Sequence, residues 1–149
     1  MTTPLLSEAE RSFLVAARTA TLATIAPDGA PRLVPICFVL ADGPEVLYSP
    51  LDDKPKRVGD PRDLARARDI LARPDVSLLV DYWSEDWSAL GWLRIRGRAS
   101  LLESAAGHEH AAAVVALREK YPQYADHRLE ERPIVRIAVV AARSWGSLG

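Results

Sequence analysis

The chain has 149 residues, 48% hydrophobic and 26% charged. That length and composition fit one globular domain over residues 1–149 and exclude disorder and collagen-like repeats. Its 19 basic and 20 acidic residues leave a formal charge of -1, which argues against a dedicated nucleic-acid binder. One cysteine, Cys37, excludes an internal disulfide and a multi-cysteine metal site. No apolar run approaches the roughly 18 residues of a membrane span, so a cytoplasmic protein without a membrane partner is expected.

Ser7 with Glu10 three residues on forms a capping-box pattern that predicts a helix over Glu8 to Ala17. Thr19 to Ile25 reads as a strand, Pro27-Asp28-Gly29 as a turn, and Arg32 to Leu40 as the second arm of a hairpin. Asp42-Gly43 marks another turn and Glu45 to Ser49 a third strand. Pro50 to Pro61 is a polar loop. Leu64, Ala67, Ile70 and Leu71 have helical spacing that Pro74 ends. Val76 to Trp83 is a fourth strand. Gly91 to Leu102 is a fifth, with Leu93, Ile95, Ala99 and Leu101 on one face and Arg94, Arg96 and Arg98 on the other. Ser104 can cap a helix running to Tyr121, and Pro122 to Pro133 reads as a long loop. Ile134 to Arg143 is a sixth strand.

Hairpin-linked strands argue for a mostly antiparallel sheet, and six of them can close into a small barrel that hides its edges. The second strand is apolar on both faces. One face can fill the barrel; a partner subunit is the simplest cover for the other.

The dinucleotide fingerprint, the phosphate-binding P-loop and the hydrolase nucleophile elbow are all absent. His108-Glu109-His110 is a poor metal site, because on a helix positions i and i+2 point about 200° apart; solvated helix polarity is the simpler reading. Cys37 reads as a small buried apolar residue.

Two signals carry chemistry. Of 19 basic residues only Lys54, Lys56 and Lys120 are lysine. Two of these fall in the run Asp52-Asp53-Lys54-Pro55-Lys56-Arg57, just after a strand that ends in Tyr48-Ser49. Three cations stiffened by Pro55 suit a phosphate; a solvated loop neutralised by Asp52 and Asp53 is the alternative. Trp83, Trp87 and Trp92 fall within ten residues. They could stack on a planar heterocycle or pack in a core or subunit interface.

Taken in order, several segments resemble the pyridoxamine 5'-phosphate oxidase-like split-barrel family. They are Thr21-Leu22-Ala23-Thr24-Ile25, Asp28-Gly29-x-Pro31, Leu33-Val34-Pro35, Tyr48-Ser49, Lys54-Pro55-Lys56, Arg73-Pro74-Asp75-Val76, Asp81-Tyr82-Trp83 and Arg94-Ile95-Arg96-Gly97. The match is greatest to its branch that uses the deazaflavin coenzyme F420, and within it to an actinobacterial subgroup. The resemblance implies a mainly β (α+β) fold, a six-stranded antiparallel split β-barrel with flanking helices. It further implies a homodimer with the cofactor at the subunit interface.

On the same footing, Val34, Pro35 and Ile36 would line the ring, and Tyr48, Ser49, Lys54, Lys56 and Arg57 would hold the phosphate. Flavin-binding relatives carry a glutamine where this chain has Trp92, which weakens the case for FMN. The expected activity is hydride transfer between the deazaflavin and a small conjugated or quinone-like substrate. The alternatives are an FMN enzyme of the same fold and a non-catalytic carrier of the cofactor.

Overall fold

The computed structural model describes residues 3–51 and 59–149. Three helices and seven strands follow one another: α1 (Glu8–Ala16), β1 (Ala20–Ile25), β2 (Pro31–Ile36), β3 (Val39–Leu40), β4 (Val46–Pro50), α2 (Ala65–Ala72), β5 (Asp75–Tyr82), β6 (Gly91–Leu102), α3 (His108–Lys120) and β7 (Ile134–Gly146). The capping box at the start of α1 forms as its spacing predicts. Ser7 Oγ accepts from the Glu10 amide at 3.1 Å, and the Glu10 carboxylate accepts from the Ser7 amide at 2.9 Å.

All strands lie in one antiparallel sheet, ordered β2-β1-β5-β6-β7-β4-β3. The two edge strands, β2 and β3, are joined by only Cys37 and Phe38. Three Cα–Cα steps reach at most about 11 Å. The sheet must therefore curl until its edges nearly meet, which makes an incompletely closed barrel.

The expected six strands become seven because the predicted second strand breaks at this corner. There Tyr121 replaces a neighbouring strand. Its hydroxyl accepts from the Phe38 amide at 3.1 Å and lies 3.0 Å from the carbonyls of Phe38 and Arg18, to one of which it donates. Buried backbone groups need partners, and this side chain supplies them where the ladder cannot.

The barrel interior is filled by alternate residues, among them Leu22, Ile36, Phe38, Leu47, Leu78, Leu93, Ile95 and Ile137. A second cluster sits outside the sheet, where Ala113, Val114, Leu117 and Tyr121 cover Val46, Tyr48, Leu102 and Ile134. Strand β4 therefore has no exposed face. Leu101 and Leu102 likewise face different clusters.

Three local features differ from those the sequence predicts. Ser104 does not cap α3; Ser104–Ala106 forms a short 3-10 turn, and Gly107, at φ 66°, precedes the helix. The loop before β7 contains 3-10 turns at Pro122–Asp126 and Leu129–Glu131. Strand β7 itself runs on to Gly146 because the long β6 pairs along its length.

Candidate functional site

Strand β2 forms one free edge of the sheet, and the tryptophans gather at one end of the barrel. Strand β2 pairs only with β1, so its other side presents main-chain donors and acceptors without a strand partner among the described residues. Ile36 is buried in the barrel and Val34 packs partly against the same core. Leu33 and Pro35 alternate outward and are exposed. Of the three residues expected to line a ring, Pro35 thus offers its side chain outward.

The expected phosphate set divides differently. Tyr48 and Ser49 are buried in β4. The Tyr48 hydroxyl donates to Glu109 Oε2 at 2.6 Å, and the Arg136 Nε donates to the same oxygen at 2.7 Å. Burial and then the Glu109 carboxylate push the tyrosine up to about 12. Hydrogen bonds from Tyr48 and then Arg136 hold Glu109 below its ordinary value. Ser49 Oγ donates to the Cys37 carbonyl at 2.7 Å and so ties β4 to the corner between β2 and β3. Both hydroxyls hold the fold together at the strand before the cationic run. Lys54, Lys56 and Arg57 lie outside the described residues.

The tryptophans come together at one end of the barrel. Trp83 follows the last residue of β5, Tyr82, which pairs with Gly91 at the start of β6. Trp87 opens a 3-10 turn at Trp87–Ala89 that leads into β6. Trp92 pairs in register with Trp145 of β7. Trp83, Trp87 and Trp145 are exposed and Trp92 is half-buried, with the Arg94 guanidinium 5.4 Å from its ring centroid. The grouping of Trp145 with the other three rests on β6–β7 pairing, which residue spacing alone does not show.

The same outer face carries Arg94, Arg96 and Arg98. Arg98 lies 3.5 Å from Asp75, its register partner on β5. Glu103 pairs with Arg62. The His-Glu-His run is more than solvated polarity. His110 is buried, and its Nε2 lies 2.7 Å from the Arg132 carbonyl, which can only accept, so that nitrogen carries the proton. Glu109 is taken by Tyr48 and Arg136.

Sequence reasoning missed a buried polar set at the start of β2. Asp69 of α2 accepts from Thr24 Oγ1 and from Arg32 Nε, each at 2.7 Å. Burial works against its charge, but these hydrogen bonds and the charges of Arg32 and Arg73 outweigh it and hold the carboxyl below its ordinary value. The signal was an acidic residue beside Ala67 and Ile70, on the face by which α2 packs.

The pyridoxamine 5'-phosphate oxidase family model matches residues 6–146. The chain belongs to that family. It is similar to a conserved hypothetical protein from Mycobacterium tuberculosis, at 26% identity over 95% of this chain and 85% of that one, with a TM-score of 0.74. The fold is shared with an F420 reductase at 22% identity over 93% and 98% of the two chains, TM-score 0.63. It is also shared with HutZ, the haem-storage protein from Vibrio cholerae, at 16% identity over 95% and 94%, TM-score 0.68. No curated protein matches. Among the described residues, no helix is long and apolar enough to cross a membrane.

Proposed function

We propose that this member of the pyridoxamine 5'-phosphate oxidase family is a homodimeric oxidoreductase that uses coenzyme F420 to reduce or oxidise a small conjugated or quinone-like substrate. The observation that carries the reading is the free edge of β2. Its main-chain groups, which have no strand partner on that side among the described residues, lie beside exposed Pro35 and Leu33 and fit a planar heterocycle with a polar rim. The likeness in fold to an F420 reductase supports the choice of cofactor.

When bound, the deazaflavin supplies a ring carbon that gives or takes a hydride. The chain's part is to bind, orient and shield. Main-chain groups of Val34 to Ile36 would hold the ring edge, and Lys54, Lys56 and Arg57 the phosphate. Tyr48 and Ser49, in the strand before that run, spend their hydroxyl protons on Glu109 and on the Cys37 carbonyl, so the cations would carry the phosphate contact. Tyr48 is also unsuited to protonate product, because its proton is held by Glu109. The exposed apolar face around Leu33, Leu79 and Trp145 would be covered by the second subunit, which would bring Trp83, Trp87 and Trp92 toward the ring.

Titration of the purified protein with F420 and with FMN, read by quenching of tryptophan emission, tests the proposal. Saturable quenching by F420 at concentrations well below those needed for FMN is expected; tighter binding of FMN would move the protein to the flavin enzymes. A carrier role is the second reading. It is favoured by the engaged Tyr48 hydroxyl, which removes one expected proton donor, and by the shared fold with a haem-storage protein. Tight F420 binding without turnover across quinone and enone acceptors would select it.

A further inference from the structure

A further basic cluster gathers at the start of β2. A cavity of about 510 Å³ opens between α2 and the turn joining β1 to β2. Arg68 and Asp69 face it from the helix, Arg73 from just beyond the helix end, Arg32 from β2 and Pro27 from the turn. Three guanidinium groups stand against one carboxylate, in a chain whose overall charge is -1.

That carboxylate is already committed. Asp69 is buried and accepts from Thr24 and Arg32, and the bond to Arg32 runs through Nε. Arg32 is thereby fixed, while its terminal nitrogens have no hydrogen bond to a described residue. Arg68 has no ion pair among the described residues. Arg73 makes a long contact, 3.4 Å, to the Pro27 carbonyl, and its charge acts on Asp69. Three guanidinium groups that share the single Asp69 carboxylate leave a surplus of positive charge and of donors that can receive an oxyanion. The cavity is much larger than an inorganic anion, and Pro27 with the exposed Leu71 gives it an apolar wall.

We propose that this cavity binds an organic phosphate monoester. The phosphate dianion matches the local surplus of two positive charges, and the organic group rests on Pro27 and Leu71. The site is separate from the cofactor reading and does not depend on it.

Calorimetric titration with phenyl phosphate and with inorganic phosphate tests the proposal. Phenyl phosphate should bind one per chain, at least tenfold more tightly than inorganic phosphate, and more weakly as salt is raised. The R68A/R73A double variant, with an unchanged melting temperature, should lose at least tenfold in affinity. Arg68→Gln alone, on an exposed side chain, should lose about threefold if the double variant fails to fold. The K54A/K56A/R57A variant should bind phenyl phosphate as the parent does. Absence of saturable binding at millimolar phenyl phosphate would overturn the site. So would full affinity in a folded Arg68 variant, or loss of binding only in the loop variant.

Discussion

Lys120 shows how much one side chain can oppose the fold it belongs to. Its Nζ is buried without a hydrogen-bond partner among the described residues and sits 4.1 Å from the Phe38 ring centroid. Burial, then the nearby Arg18 charge, lower the amine from 10.5 to about 8. Each unit is worth about 1.4 kcal/mol. Discounted for the partial exposure of the side chain, the penalty is roughly 2 kcal/mol. The contact with Phe38 returns about 1 kcal/mol.

Below pH 8 the amine is charged in both folded and unfolded chains, so the penalty is complete. Between pH 8 and 10.5 the folded chain loses its proton first, and stability rises with pH. Lys120→Met should therefore stabilise the protein by about 1 kcal/mol at pH 7. Urea denaturation at pH 7 and pH 10 should show that advantage shrinking at the higher pH.

At the scale of elements, β6 decides the shape of the site. It pairs with β5 on one side and β7 on the other, with a register shift at Arg96/Gly97. A Cβ at Gly97 would meet the Ala138 carbonyl oxygen at 2.9 Å, so glycine lets the shifted strands stay close. Gly91 matters at the other end. A Cβ there would collide with the Ser147 carbonyl, beside the bond from the Ser147 amide to the Leu90 carbonyl at 2.8 Å. Gly91→Ala should cost about 1–3 kcal/mol. It should also red-shift tryptophan emission in the folded baseline, since this pairing sets Trp92 against Trp145. Chemical denaturation followed by fluorescence reads both effects.

For the whole molecule, the two faces of the sheet have different covers. α3 packs over the outer side of β4, but the outer side of β2, β1 and β5 leaves Leu33 and Leu79 in solvent, 68% and 40% exposed. A second copy placed on that face would bury them and complete the cofactor site proposed above. Leu33→Arg should then convert a dimer to a monomer in sedimentation and weaken F420 binding together with it, while leaving the melting transition cooperative. A wild-type monomer at micromolar concentration would overturn the dimer.

Much of this molecule was legible in its residues. Hydrophobic alternation, turn residues and the Ser7–Glu10 box identify most helices and strands, because those signals act over a few neighbouring positions. The family was legible too, from the order of short segments along the chain.

The break between β2 and β3 was not, since it depends on a tyrosine 83 positions away that satisfies Phe38. Nor was the occupation of Tyr48 and Ser49, which follows from α3 and the β2–β3 corner packing against β4. The gathering of four tryptophans and the arginine cavity likewise depend on which strands and helices become neighbours. Local sequence determined where the elements lie and what chemistry they carry. Only tertiary structure decided which polar groups are spent on one another and which remain for a ligand, because hydrogen bonds and burial are settled between residues far apart in the chain.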